Sequence, residues 1–516
     1  MNRRIVFGVV SVWVNRAIVI ALRLVLIPVL FHYRPKEEVG VWMLLGQTWA
    51  LLGILDLGFS ATMTRRIALA KGKSGSDPNV PLNEETRREI ADLIASGRLI
   101  CVWLALSAFL ICGGAGFLYL RQLHVTSLSL STMCAAWGIV CLSCALGVWS
   151  EIWVWLIQGL GYMGWQFAMA SALDVLTIVL QIAAVLMGGG LVALAAAMAI
   201  GPVLLRFFLL RLARKWRPEL FTIRGKWNAA LVRGLISPSL RAWVTSLGIF
   251  VVMFSDPYLI AQLNGASQIP AYRAAWLVLY NLNALSVAVA VASAVFVSHL
   301  WQAGRLEELR RVVMRNLRLG LSIVACGGAC VLMLGPRLFN LWLGPGNFSG
   351  GPILAIFFVV FFLETQATII STCSRATEDE AFASCSIAAG ALKIVFSLAL
   401  GLWLGLMGIA LGTLLALALT NHWFMTYRGL KRLGMSAWQH GSLVLFPVSL
   451  VFATTCIAVW LVEQALRDAP AWAEVVAGGM AAGLILAAAL WTLTLDKSER
   501  ARALLYLSFK PTRENP

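Results

Sequence analysis

The chain has 516 residues, of which 60% are apolar and only 13% charged, and its mean hydropathy is +0.83. That balance argues against a soluble globular enzyme and for an all-α polytopic membrane protein. The net charge of +17 and pI near 9.8 report basic loops facing anionic headgroups rather than nucleic-acid binding, because no basic patch interleaved with aromatic residues lies outside the apolar segments.

The first residues, MNRR, run directly into apolar sequence from Ile5 to Phe31. This run is too long for a secretory signal, is interrupted by arginine and lacks a small-residue cleavage site, so it reads as a retained first span. Crossing about 30 Å of hydrocarbon takes about 20 apolar residues. Segments of that length recur near 5–31, 39–62, 98–120, 133–158, 166–187, 190–212, 236–262, 271–297, 317–336, 352–372, 381–403, 405–426, 442–462 and 473–494, about fourteen helices in all.

Every second connection is basic. One set carries Arg65, Arg66, Lys71, Lys73, Arg87 and Arg88, then Arg211, Arg214, Lys215, Arg217, Arg224 and Lys226, then Arg305, Arg310, Arg311 and Arg315, then Arg428, Lys431 and Arg432. The alternate connections are short and hold little beyond Arg34, Lys36, Arg121, Arg337 and Arg467. By the positive-inside rule both termini are cytoplasmic. The longest polar interval, 71–93, opens as a Gly, Ser and Pro linker and closes as a short helix capped by Asn83, a surface-lying elbow rather than a soluble domain. Ten cysteines lie almost wholly inside apolar runs with no partner ligands near them, and they read as small helix-packing residues rather than as a metal or redox site.

Two regions share an order of elements. VGVWMLL (39–45) leads through the second span to RRIALAKG (65–72), and IPAYRAAWLVL (269–279) leads through the eighth to VSHLWQAG (297–304). Each is followed by a charged amphipathic stretch, the second being RLEELRRVVMR. SALDVLTIV (171–179) is echoed by GALKIVFSL (390–398). Six spans separate equivalent points, so the halves keep one orientation and relate by an axis along the membrane normal. The expected division is an N-lobe at 1–220 (spans 1–6), a C-lobe at 221–435 (spans 7–12) and an appended 436–516 with spans 13 and 14 and a cytoplasmic tail.

An Arg, Lys or Asp at mid-bilayer costs about 2.5–3.5 kcal/mol on insertion scales and therefore faces a cavity or a partner. Arg16 and Arg23 stand seven residues apart on the first span, within about 20° of one face and about 10 Å along the axis. With Asn15 beside them and Gln47 on the next span, they point to a water-filled cationic cavity that suits phosphate oxygens. Lys393 is central in the eleventh span, Arg206 and Arg241 lie nearer the cytoplasm and Arg273 nearer the outer face. The last three either snorkel to headgroups or join the cavity, whose polar lining would include Asn281 and Asn283. The intramembrane acids are Asp56, Glu151, Asp174, Asp256 and Glu364, candidates for ion coupling. Bland roles compete: Asp56 in DLG caps or orients a loop, Asp256 accepts donors freed by Pro257, and Asp174 neutralises Lys393. TEDE at 377–380 fits a capping box for the eleventh span, and the sequon at Asn347 is a chance occurrence if the organism is bacterial.

Several segments resemble the Wzx-type lipid-linked oligosaccharide flippases of the multidrug/oligosaccharidyl-lipid/polysaccharide exporter (MOP) superfamily. LIPVLFHYRPKEEVGVWMLL (26–45) looks like the family's first hairpin, and ILDLGFSATMTRRIA (54–68) like its Asp-Leu-Gly signature. FSDPYLIAQLNGASQIPAYRAAWLV (254–278), LWLGPGNFSG (341–350) and LWLGLMGIALGTLLA (402–416) are similar to its seventh-span motif, ninth-span exit and twelfth-span opening. The resemblance covers spans 1–12. It implies a V-shaped fold of two six-helix lobes plus two C-terminal helices in the bacterial inner membrane. It also implies movement of undecaprenyl-diphosphate-linked sugar units to the periplasmic leaflet by alternating access, with membrane lipids and polysaccharide polymerase or assembly proteins as partners. By similarity to lipid II flippases, Arg16, Arg23 and Arg273 match the placement of cargo-binding cations, whereas Lys393 departs from the polar neutral residue of many relatives.

Two other readings remain. A cation-driven multidrug antiporter of the same superfamily would want acids to dominate the cavity, whereas the mid-membrane charges are at least as basic as acidic. A membrane glycan polymerase or glycosyltransferase would need a sizeable outer loop with acid or base residues. The outer connections are short, and the five histidines, 32, 124, 299, 422 and 440, form no cluster. No catalytic residue, metal or cofactor is expected.

Overall fold

Backbone N–H and C=O groups removed from water must bond within their own segment, so long apolar runs fold as helices. In the computed structural model, which describes residues 3–74, 80–376, 383–494 and 500, the described regular structure is entirely helical. In chain order the helices are α1 (Arg3–Tyr33), α2 (Lys36–Leu55), α3 (Phe59–Gly72), α4 (Glu84–Leu120), α5 (Leu130–Gly159), α6 (Met163–Leu186), α7 (Leu191–Trp216), α8 (Glu219–Thr222) and α9 (Ala229–Phe254). They continue as α10 (Asp256–Leu263), α11 (Ile269–Gln302), α12 (Leu306–Leu343), α13 (Gly351–Ala376), α14 (Ala383–Leu417), α15 (Trp423–Arg432), α16 (Ala437–His440), α17 (Phe446–Ala465) and α18 (Ala471–Leu493). Single π-helical turns at Ala418–His422 and Gly441–Leu445 lead into α15 and α17.

Among the described residues ten helical stretches are long and apolar enough to cross a membrane, and Ser246–Phe254 with Asp256–Leu263, bent by 42°, makes an eleventh. One of the ten, Ser384–Arg432, has 49 residues, about 74 Å at 1.5 Å per residue and more than twice the hydrocarbon thickness. It is two crossings. At Gly405 the backbone leaves the helix with φ 57° and ψ −135° and reverses, so that Ser397 Oγ donates to the Ile409 carbonyl at 3.1 Å. A Cβ on Gly412 would stand 2.5 Å from the Ser397 nitrogen. The segments expected at 381–403 and 405–426 therefore meet in a glycine hairpin.

Three boundaries differ from the sequence reading. The second span ends at Leu55, because Leu57 and Gly58 both take positive φ and turn the chain. The short helix read before residue 93 is the first part of α4, which Asn83 caps by accepting from the Thr86 N–H at 2.7 Å. Arg337, assigned to an outer connection, lies inside α12, which runs on through Pro336 to Leu343. The proposed cap at 377–380 falls outside the described residues.

The chain divides into two compact units, Met1–Arg273 with Ala383–Gly412, and Ala274–Phe382 with Thr413–Pro516. In the first, α1 lies along α6, and α5 packs against α3, α4 and α7. Met63, Ile67, Ile90, Trp155, Leu156 and Leu209 form its core. In the second, α12 packs against α13, α17 and α18 around Val313, Leu317, Leu321, Ile369 and Val448. The ten cysteines carry free thiols that are buried or half-buried. Asn347 of the sequon is buried and donates to the Leu343 carbonyl at 2.7 Å, closing the end of α12.

Candidate functional site

In FSDPYLIAQL, Pro257 lacks the N–H that a continuing helix needs, and the chain breaks between α9 and α10. Asp256, at the break, is 2% exposed. One of its carboxylate oxygens accepts from Tyr272 Oη at 2.9 Å, and the other accepts from Lys393 Nζ on α14. Lys393 has no exposed surface. A fully buried ammonium is tolerable when it is both ion-paired and hydrogen-bonded. The close approach that brings it there depends on Gly248, where an added Cβ would stand 2.3 Å from the Ser386 carbonyl oxygen. Lys393 is thus matched by Asp256 and not, as repeat equivalence suggested, by Asp174. Arg273, next to Tyr272 on α11, is buried as well.

Asp174 is instead exposed on α6, where Arg23 of α1 acts on it electrostatically. Arg23 lies ten residues before the end of α1 at Tyr33 and Asp174 eleven after the start of α6 at Met163. These offsets put each about 15 Å or slightly more from a helix end, at mid-depth. Both are exposed on the surface of the first unit. Charges at that depth require water or a polar partner rather than acyl chains.

The remaining sequence-predicted residues are spread over both units. The side chains of Asn15, Arg16 and Arg241 lie outside the described residues. Gln47 donates to the Met43 carbonyl at 3.3 Å within α2. Asp56 accepts the Gly58 and Ser60 N–H groups at 2.9 and 3.2 Å and so caps α3 across the turn. Glu151 on α5 is close enough to Asp56 for their charges to interact. In the second unit Asn283 donates to Thr365 Oγ1 at 3.2 Å, Asn281 is half-buried, and Glu364 accepts from Thr368 Oγ1 at 3.1 Å with His422 Nε2 at 3.5 Å. Arg206 donates to the Trp149 carbonyl at 2.9 Å and stacks over that ring. Tyr272 and His422 were missed. Tyr272 stands inside the quoted PAYRAAW motif, but its hydroxyl gives no sign in sequence of which acid it meets.

Residues 8–296 match the family described as polysaccharide biosynthesis protein. No curated protein sequence matches the chain. Among solved structures, lipid II flippase MurJ in an inward closed conformation is similar with a TM-score of 0.70 at 12% identity, over 95% of this chain and 100% of that one. An inward-facing MATE multidrug-resistance transporter of the MOP superfamily is similar at 0.64 and 12% identity, over 83% of this chain and 98% of that one. A MOP superfamily transporter from Pyrococcus furiosus gives 0.57 and 13%, over 83% and 95%. Identities this low carry the fold alone, while the family match spans more than half of the chain. This multi-pass membrane protein therefore belongs to the polysaccharide biosynthesis protein family, on the fold of the MOP superfamily, in keeping with its resemblance to the Wzx-type flippases.

Proposed function

We propose that the chain is a flippase that moves undecaprenyl-diphosphate-linked oligosaccharide units from the cytoplasmic to the periplasmic leaflet of the bacterial inner membrane, by alternating access. The observation that carries this reading is Arg23, a guanidinium exposed at mid-depth on α1 in a chain of the polysaccharide biosynthesis family. A lipid diphosphate needs such a cation on its way across, and its polyprenyl tail can stay in lipid. Guanidinium also binds phosphate oxygens in pairs. The structural neighbour whose cargo is lipid II supports the same cargo class. Both termini would be cytoplasmic by the positive-inside rule, and a polysaccharide polymerase would take the product.

A test uses proteoliposomes holding a fluorescent polyprenyl-diphosphate oligosaccharide, with dithionite added outside. Flipping makes the label on both leaflets accessible to quenching, and protein-free vesicles stop at about half. Quenching that stops at half with active protein would overturn the proposal. Gradient-driven ethidium uptake in the same vesicles would favour the multidrug antiporter reading, to which the MATE neighbours lend some support.

A further inference from the structure

His422 has no part in the transport reading, yet it is buried beside an acid at mid-depth in a span of the second unit. It closes the π-helical turn Ala418–His422, a wide i to i+5 turn of a kind that recurs at functional sites. Three successive polar residues are buried there, Thr420, Asn421 and His422, at 7%, 6% and 6% exposure. Thr420 Oγ1 donates to the Ala416 carbonyl at 2.6 Å, but Asn421 Oδ1 and both ring nitrogens of His422 make no hydrogen bond to the described residues. Buried polar atoms are nearly always paired, so these call for a chemical reason.

Glu364 of α13 supplies one. Its Oε2 stands 3.5 Å from His422 Nε2, and the two side chains are 22% and 6% exposed. Glu364 is thirteen residues from the start of α13 at Gly351 and twelve from its end at Ala376, about 20 and 18 Å along the axis. A carboxylate at that depth needs a polar partner. The imidazole is that partner, and it is the side chain whose ordinary titration lies nearest neutral pH.

The other titratable groups around α13 stand elsewhere. Between Arg318 and Arg337 α12 carries two thiols, Cys326 and Cys330, and the first accepts from Thr455 of α17. The α15 groups, Tyr427, Arg428, Lys431 and Arg432, follow His422 by five residues or more. On α11, which Asn283 joins to Thr365, Tyr280 stacks on Trp276, and His299, whose side chain lies outside the described residues, comes about 24 Å beyond Asn283. Phe452 of α17 stacks on Phe358, and that helix has no charge before Glu463. On α13 itself Cys373 lies nine residues on, and residues 377–382 follow the helix end.

A proton is the ligand that suits such a pair. Protonated His422 facing the Glu364 carboxylate is a neutral ion pair, and release of the proton to water leaves a neutral ring beside a carboxylate, with net charge −1. One N–H bond breaks and one unit of charge is exchanged. A hard alkali cation takes a shell of oxygens, whereas the group opposite this carboxylate is a nitrogen.

We propose that Glu364 and His422 form a proton-binding site inside the second unit, and that the proton it takes up and releases is the ion coupled to transport. The coupling rests on the flippase reading; the site does not.

Infrared difference spectra of the purified protein between about pH 5 and about pH 8 read the site without any transport. Subtracting the His422→Gln spectrum from that of the wild type should leave one imidazole band, and Glu364→Gln should alter that band because the ring then faces an amide. Glu364→Asp, which keeps a carboxylate, should preserve it and guards against misfolding. No residual imidazole band, or one that Glu364→Gln leaves unchanged, would overturn the proposal. In proteoliposomes a pH gradient should change the initial flipping rate of the wild type by up to about tenfold per pH unit for one proton per cycle. Both glutamine variants should ignore the gradient. Wild-type flipping that ignores it, or that follows a sodium gradient instead, overturns the coupling and leaves the flippase reading intact; absence of flipping overturns that reading, and the infrared bands still decide the site.

Discussion

Lys393 on α14 donates to the carboxylate of Asp256, the residue at which α9 gives way to α10, and both side chains are buried. The pair ties the hairpin that turns at Gly405 to the bent span Ser246–Leu263 of the first unit. Removing one partner strands the other charge away from water. We expect Lys393→Met and Asp256→Ala each to cost about 3–5 kcal/mol. The double variant Asp256→Asn/Lys393→Met should recover most of the loss, because no unmatched charge then remains. Thermal unfolding of the purified protein in detergent reads this directly; a double variant no better than either single would refute the ion-pair account.

The close contact beneath that pair makes a second prediction. Gly248 faces the Ser386 backbone, and an added Cβ would meet the carbonyl oxygen at 2.3 Å. Backbone cannot rotate away as a side chain can, so Gly248→Ala should push α14 off α9 and destabilise by about 1–3 kcal/mol, the usual cost of overpacking. Gly441→Ala, where nothing stands within 4 Å, serves as the control and should be far milder.

Asp56 had two readings in sequence, turn former or proton carrier, and its two backbone donors favour the first. An asparagine oxygen can accept the same N–H groups, whereas alanine cannot. Asp56→Asn should therefore keep surface-glycan assembly in a complementation assay. Asp56→Ala should lose about 0.5–2 kcal/mol of stability, the range for a removed helix cap. Loss of transport in Asp56→Asn with normal protein levels would restore the proton-carrier reading.

Hydropathy made the spans legible because each crossing must be apolar and about twenty residues long. Even the break at Gly405 fell where two expected spans meet. Pairing was another matter. Asp174 and Lys393 occupy equivalent places in the repeat, but equivalence under an internal axis relates environments and does not bring two residues into contact. The true partner, Asp256, is 137 residues away in sequence. Arg337 looked like a loop residue because the ninth span was bounded at 336, yet proline late in α12 leaves the helix running to Leu343. Arg310, Arg311 and Arg315 counted only as basic residues of a connection and of an amphipathic stretch, since nothing in a linear chain marks the cavity they line at the start of α12.

The misplacement of Arg337 has a measurable consequence. Its guanidinium pairs with Glu463 of α17 and, at 2.7 Å, with Glu474 of α18, whose side chain is 4% exposed. One arginine thus binds three helices of the second unit at one end. Arg337→Gln leaves the two acids without this cation and should cost about 1–3 kcal/mol, less than for a fully buried pair because the arginine is 39% exposed. Adding Glu474→Gln should return part of that stability, read by the same unfolding assay.

Arg23 carries the functional reading and allows the sharpest test. If the exposed guanidinium on α1 engages the diphosphate of a lipid-linked glycan, Arg23→Ala should abolish surface-glycan assembly while protein abundance in the membrane is unchanged, and lipid-linked repeat units should build up. Arg23→Lys keeps a positive charge but loses the planar fork that grips two oxygens, so it should retain a fraction of transport. Asp174 offers the complementary experiment, since on that proposal its charge, which acts on Arg23, would compete with the cargo. Asp174→Asn should leave assembly intact or raise it, whereas a structural pair would be damaged equally from either side. Quantifying lipid-linked intermediates in the three strains separates these outcomes, and equal loss in Arg23→Ala and Asp174→Asn would reduce Arg23 to a packing role.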